Sequence, residues 1–164
     1  MLSFIFILLF VGDGHKNPAP EHFEALASLV GRDWVALFPD GKTTDTQRFE
    51  WVYGGKFLRN THWVKNAEGG VVYEGETFYA WDFKEKRLAW FYFNTTGGHL
   101  VGYLEEERGR LTVYGTNNAP GAQTPEVKGA IVILAHSYDS VTYFKKQDQW
   151  VEQMTVTYKP VTQK

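Results

Sequence analysis

The sequence contains no cysteine among its 164 residues, which excludes disulfide bonds, thiolate catalysis, zinc fingers and cysteine-ligated iron–sulfur clusters. It also lacks a strong excess of either charge, and a formal net charge of -2 gives no reason to expect a nucleic-acid partner. Its longest apolar run, residues 2–11, is shorter than the roughly 20 residues that a membrane-spanning helix needs. We therefore expect one ordinary domain with no stable membrane span.

The apolar run does have the length of a signal-peptide core. Residues 1–14 are accordingly predicted to be a signal peptide or apolar leader, which would make the protein secreted or periplasmic. No lysine or arginine precedes the run, so a first strand or a truncated leader is the alternative. Residues 15–20 contain two prolines and are predicted to be a linker, and residues 21–162 form the domain.

Aromatic residues are abundant, at 16% of the chain, and sixteen glycines accompany them. This composition is typical of a β-rich protein with many tight turns. One helix is predicted over residues 21–30, where Phe23, Leu26, Ala27 and Val30 recur at helical spacing.

After Gly31 the pattern of apolar residues changes to the period of two that is typical of strands. Ten strands are predicted, at residues 33–38, 47–53, 56–65, 71–81, 87–93, 99–106, 110–116, 127–134, 140–145 and 150–159. Short connections make each strand antiparallel to the one before it. We expect an all-β fold, an antiparallel up-and-down β-barrel with one short N-terminal helix that plugs or flanks an end.

Turn residues predict the register between strands, and the register divides the residues between two faces. The Gly54-Gly55 turn places Glu50 opposite Arg59, and the turn after Asn66 places Asn66 opposite Gly70. Following these registers along the chain selects one face as the interior. The candidate cavity residues on that face are Arg48, Glu50, Arg59, Thr61, Trp63, Tyr79, Trp81, Trp90 and Tyr92.

Three of those candidates are charged, and ionised groups inside a barrel must be paired or must contact a ligand. Glu50 can neutralise only one of the two arginines, Arg48 and Arg59. Either the cluster is a structural ion-pair group, or the second arginine binds the head group of an anionic amphipathic molecule. Under the second hypothesis Thr61, Tyr79 and Tyr92 supply hydroxyl donors and the aromatic residues line the apolar part.

Histidines offer weaker hypotheses. His62 is predicted to lie opposite Glu74, either as a surface histidine or as a base with its orienting carboxylate. His99 and His136 lie beside turns, and either could ligate haem iron, although no cofactor is predicted. No metal-binding, phosphate-binding or nucleophile-elbow motif is present, so no metal site and no catalytic residue is predicted.

Several segments carry a resemblance to known proteins: Val30-Gly31-Arg32-Asp33-Trp34, residues 49–56, 59–62, 75–77 and 80–82, and the closing residues 150–158. They resemble a family of uncharacterised bacterial proteins that is similar to the calycin group of lipocalins, fatty-acid-binding proteins and nitrobindin-type haem barrels. The lipocalin glycine and tryptophan are separated by one residue, whereas Gly31 and Trp34 are separated by two. The arginine of the fatty-acid-binding Arg-x-Tyr motif is missing before Tyr158. The resemblance therefore implies a barrel with a cavity but no particular ligand.

The leading hypothesis is an extracytoplasmic β-barrel that binds a small apolar or amphipathic molecule without catalysis. The first alternative is an enzyme on the same barrel, either a haem-dependent or an acid–base isomerase using an interior tyrosine, arginine or histidine. The second is a filled barrel that acts through its surface. A cavity of several hundred Å³ would favour binding or catalysis over the filled barrel.

Overall fold

Each strand of the fold is hydrogen-bonded to the next along the chain, and the sheet closes where β1 pairs with β10. The computed structural model describes residues 20–118 and 126–161. The strands are β1 (Asp33–Leu37), β2 (Thr44–Val52), β3 (Phe57–Lys65), β4 (Val71–Asp82), β5 (Arg87–Asn94), β6 (His99–Glu107), β7 (Arg110–Asn117), β8 (Glu126–Ile133), β9 (Tyr138–Lys146) and β10 (Gln149–Pro160). The predicted ten-stranded antiparallel barrel is confirmed. The predicted leader and nearly all of the predicted linker lie outside the described residues.

The predicted N-terminal helix forms as a short 3-10 helix, Glu24–Leu29, rather than an α-helix over 21–30. His22 has a left-handed backbone, with φ of 77°, which prevents an α-helix from starting earlier. Helices this short are marginal alone, and this one is held by burial of Leu26 and Leu29, both 0% exposed, at one end of the barrel. The Trp34 indole donates to the Leu29 carbonyl at 2.8 Å and is buried beside the helix. A second 3-10 turn, Tyr53–Gly55, links β2 to β3.

One bulge between β3 and β4 determines which residues face inward. The turn after Asn66 forms as predicted, with Asn66 bonded to Gly70 and Lys65 paired with Val71. The next pair, however, is Val64 with Tyr73, so Val72 is an extra residue that shifts the register by one. Because side chains alternate between faces, this shift inverts β2 and β3 relative to β4 and the later strands.

The interior assignment of β2 and β3 was therefore wrong, whereas that of β4 to β7 was right. Phe49 and Leu58, which are 1% and 0% exposed, occupy the core. The five candidates on these two strands lie on the outer face instead: Arg48, Glu50, Arg59, Thr61 and Trp63.

The predicted pairing of Glu50 with Arg59 is correct, but the pair lies on the outside of the barrel. The Arg59 guanidinium donates to Glu50 at 2.8 Å, and Arg48 donates to both oxygens of Asp33, at 2.5 and 2.8 Å. Both arginines are partly exposed and each has its own carboxylate partner. No second arginine is left over for an interior anion.

No helix in residues 20–118 and 126–161 is long and apolar enough to cross a membrane.

Candidate functional site

A cavity of about 340 Å³ lies between the inner strand faces of the barrel, within the size range of small-molecule sites. Aromatic and aliphatic side chains form most of its wall, and several hydroxyl and amide groups interrupt them. Its lining residues are Gln47, Phe49, Asn60, His62, Thr77, Tyr79, Trp90, Tyr92, Val113, Gly129, Ala130, Ile131, Tyr138, Ser140, Val141 and Thr142.

Beside this cavity β2 buries a carboxylate, Asp45, which is 2% exposed. Its Oδ2 accepts from the Tyr158 hydroxyl at 2.6 Å and from the Gln47 amide at 3.1 Å, and its Oδ1 lies 3.2 Å from Nδ1 of His62. A buried carboxylate needs such donors because water no longer solvates it. Within the described part of the chain, no lysine or arginine contacts Asp45.

His62 on β3 connects Asp45 on β2 to two tyrosines on the neighbouring strands β4 and β5. Its Nε2 lies 3.0 Å from the Tyr92 hydroxyl, and that hydroxyl lies 2.6 Å from the hydroxyl of Tyr73. Burial, followed by the hydrogen bond with Tyr73, raises the pKa of Tyr92, so the phenol keeps its proton at neutral pH. We call Asp45, His62, Tyr92 and Tyr73 the proton chain.

Gly75 makes room for the central contact of this chain. It pairs with His62 across β3 and β4, and its strand carries no side chain at that point. A Cβ on Gly75 would lie 2.4 Å from the Tyr92 hydroxyl and 2.5 Å from Nε2 of His62. A larger residue at this position would therefore require His62 or Tyr92 to shift, and the glycine lets the two side chains meet.

A second group of polar side chains extends from Asp45 towards β9. The Gln47 side-chain amide also donates to the Tyr158 hydroxyl at 3.0 Å. The Tyr138 hydroxyl donates to Oε1 of the same amide at 2.9 Å. The rings of Tyr138 and Tyr158 stack in parallel with centroids 4.6 Å apart. Burial raises the pKa of both tyrosines, so both remain hydrogen-bond donors.

Tyr79 and Trp90 form the aromatic wall opposite. Trp90 donates its indole proton to the Tyr114 carbonyl at 2.9 Å, and Gly115 gives its ring space. Tyr79 is 7% exposed, and burial raises the pKa of its hydroxyl. The hydroxyl is open to the cavity and makes no hydrogen bond with the described part of the chain.

Of the nine candidate residues, the structure brings Tyr79, Trp90 and Tyr92 together around the cavity. Trp81 also belongs to the inner side of its strand, but it lies at the end capped by the 3-10 helix. There it stacks on His22 with ring centroids 3.9 Å apart. The outer-face residues of β2 and β3 do not line the cavity.

His62 was placed wrongly. It pairs with Gly75 rather than Glu74, and it faces Asp45 inside the barrel instead of an exposed carboxylate. Glu74 is exposed on the outer face, opposite Trp63. His99 and His136 are exposed and lie outside the cavity. The described residues contain no group of three or more histidine or acidic side chains arranged to hold a metal ion.

Four residues of the site were not predicted from the sequence: Asp45, Gln47, Tyr138 and Tyr158. For the two on β2, Asp45 and Gln47, the sequence did contain a signal. The predicted register placed two aromatic residues of the same strand, Phe49 and Trp51, on the outside of the barrel. Exchanging the faces of β2 would have buried both aromatic rings and brought Asp45 and Gln47 inward with them.

Comparison with models of protein families finds no match for this chain, and comparison with curated proteins finds none either.

Proposed function

We propose that the protein binds a small, flat, largely apolar molecule inside its barrel. The observation that carries this proposal is the Tyr79 hydroxyl, which is open to a cavity of about 340 Å³ and makes no hydrogen bond with the described part of the chain. A polar group on a bound molecule can pair with this hydroxyl while the aromatic rings cover its apolar part. The presence of a cavity favours binding or catalysis over a filled barrel.

The charges around the cavity favour a ligand that enters without a negative charge. No lysine or arginine lines it, and its nearest carboxylate, Asp45, has its own donors. A carboxylate ligand would bring a second negative charge into the interior with no fixed cation to balance it. This replaces the anionic amphipathic ligand expected from Arg48 and Arg59.

The test uses 4-nitroanisole, a flat and neutral aromatic probe, with binding measured by titration calorimetry. Ser140 lines the cavity, and Ser140→Phe fills it, whereas Thr155→Phe adds the same ring to the exposed outer face of β10. We expect the wild type and Thr155→Phe to bind with similar affinity, and Ser140→Phe to lose at least about tenfold. Equal binding by both variants would place the probe outside the cavity and contradict the proposal. If the probe binds in the cavity, mass spectrometry of molecules that co-purify with the native protein would identify the natural ligand.

A second candidate function is acid–base isomerisation on the same barrel, which the contact between His62 and Tyr92 favours. An isomerase of this kind would exchange the α-protons of a bound ketone with solvent. The test follows 1-indanone in D₂O by NMR, with wild type and His62→Gln compared. Exchange above the buffer rate in the wild type alone would support catalysis, and no enhancement would leave binding as the function.

We also propose that the protein acts outside the cytoplasm, on the strength of the apolar run at residues 2–11. The mass of the protein purified from its native host would show whether residues 1–14 are removed. Kinship with the calycin group stays a proposal too, because unrelated sequences can adopt the same barrel architecture.

A further inference from the structure

The middle of the proton chain lies in the cavity wall. Asp45 is at one end and Tyr73 at the other, and the two members between them, His62 and Tyr92, line the cavity. The titratable groups that face His62 are Asp45 from β2, Tyr73 from β4 and Tyr92 from β5. Among the four residues of the proton chain, only His62 has a side chain that can take a positive charge.

The partners assign a direction to each hydrogen bond. An ionised Asp45 can only accept, so Nδ1 of His62 donates to it and Nε2 is left as an acceptor. The Tyr92 hydroxyl therefore donates to Nε2, and the Tyr73 hydroxyl donates to the Tyr92 oxygen. Asn94 is the other polar side chain beside the Tyr92 hydroxyl. The Tyr92 oxygen, which donates once to His62 and accepts once from Tyr73, can accept one more hydrogen bond when a bound molecule takes the place of Asn94. A hydroxyl on a bound molecule can supply it.

We propose that the proton chain accepts the proton of an acidic hydroxyl on the bound molecule, so that the cavity takes a phenol or enol and holds it as its anion. This rests on the proposed binding function and names its ligand class. The ligand O–H bond breaks and its proton passes to the Tyr92 oxygen, while the Tyr92 proton passes to Nε2 of His62. The products are a bound phenolate or enolate, a neutral Tyr92 and an imidazolium paired with Asp45, and no other reactant is needed.

The charge balance explains the choice of ligand. Proton transfer within the site leaves its net charge unchanged, because the new negative charge on the ligand is matched by the new positive charge on His62. A carboxylic acid would already be ionised on entry at neutral pH and would add an unmatched charge. An aliphatic alcohol is too weak an acid to give its proton to an imidazole. Phenols with electron-withdrawing groups and stabilised enols lie between these limits.

The experiment compares 4-nitrophenol with 4-nitroanisole, in which a methyl group replaces the acidic proton. Titrations are made at a pH where free 4-nitrophenol is mostly un-ionised, and the visible phenolate band is recorded together with binding by calorimetry. We expect the wild type to generate the phenolate band as 4-nitrophenol binds. The methyl ether should bind without any such band.

Two variants interrupt the proton chain at different points. Tyr92→Phe keeps the ring and removes the hydroxyl, and His62→Gln keeps hydrogen bonding but removes the basic nitrogen. Each variant is titrated to saturation with 4-nitrophenol, and the phenolate fraction is taken per molecule of bound probe, so that a change in the affinity of the cavity does not enter the comparison. The bound phenolate fraction should fall at least about tenfold in each, the equivalent of about one pKa unit of the bound probe.

The outcomes separate the two proposals. Failure of the wild type to bind either probe would overturn both the binding function and this inference. Binding of both probes, with 4-nitrophenol remaining neutral, would overturn this inference alone. An undiminished phenolate band in His62→Gln would also overturn it, since the proton would then have another acceptor.

Discussion

Strand β2 carries two carboxylates in opposite environments, Asp45 inside the barrel and Glu50 outside. The Asp45 side chain is 3% exposed and has His62, Tyr158 and Gln47 as partners, while the Glu50 side chain is 40% exposed and faces Arg59. Glu50 is paired with a positively charged guanidinium at the solvent-exposed surface. Asp45 is held by a hydroxyl, an amide and a histidine inside the barrel.

The difference shows how a barrel can keep a charge in its interior. Burying an arginine beside Asp45 would add a second desolvation cost, which well-placed neutral donors avoid. On the outer face the guanidinium groups stay in contact with solvent, and their pairs contribute little to the stability of the fold.

The tryptophans extend this comparison between faces and give the largest expected effect. Trp34 is 4% exposed and bonded to the helix at Leu29, whereas Trp63 lies on the outer face. We expect Trp34→Ala to lower the free energy of unfolding by about 4 kcal/mol, the usual cost of truncating a core tryptophan. Trp63→Ala should cost less than half as much. Chemical denaturation of both variants measures this, and equal losses would contradict the assignment of faces.

Asp45 and Glu50 provide the direct test. Asp45→Ala leaves donors on His62, Tyr158 and Gln47 without their acceptor, so we expect a loss of about 3 kcal/mol in the free energy of unfolding. Glu50→Ala removes one partner of an exposed pair and should cost less than about 1 kcal/mol. A loss for Glu50→Ala as large as that for Asp45→Ala would mean that the two environments are energetically alike.

Gly75→Ala should have an intermediate effect, because its methyl group would overlap Tyr92 and His62. We expect about 2 kcal/mol of destabilisation from overpacking at this point. Gly70→Ala is the control, since a Cβ at Gly70 meets only the Asn66 side chain, at 3.4 Å and beyond. Thermal denaturation of both variants is the measurement. A Gly75→Ala protein as stable as the wild type would show that His62 and Tyr92 can separate freely.

Most of the fold could be predicted from the sequence because its turns are encoded locally. Asn66, Gly69 and Gly70 specify one turn, and the predicted pairing of Asn66 with Gly70 is confirmed by their backbone hydrogen bond. The bulge at Val72 has no such local signal, since Val71 and Val72 are identical neighbours and either of them could pair with Lys65. It is determined by packing, because only the shifted register buries Phe49 and Leu58. The candidate site could therefore be predicted on β4 and β5 and not on β2 and β3.

Substitution of Arg59 has the smallest expected effect, and it tests whether Arg59 and Glu50 lie on the outer face of the barrel. Were the cluster interior, Arg59→Met would leave Glu50 as an unpaired buried charge and cost about 3–5 kcal/mol. On the outer face, with side chains 37% and 40% exposed, Glu50 remains solvated when Arg59 is lost. We therefore expect Arg59→Met to change the free energy of unfolding by less than about 1 kcal/mol.

A double-mutant cycle with Glu50→Gln isolates the pair itself, and it should give a coupling energy of about 0.2–1 kcal/mol that falls as salt is added. Glu76 lies 3.5 Å from the Arg59 guanidinium and shares part of its charge, so Glu76→Gln should raise the coupling between Glu50 and Arg59 rather than abolish it. A coupling energy of several kcal/mol, insensitive to salt, would require the pair to be buried. Since Glu50 and Phe49 are neighbours on one strand, that result would also move Phe49 out of the core and reverse the register set by Val72.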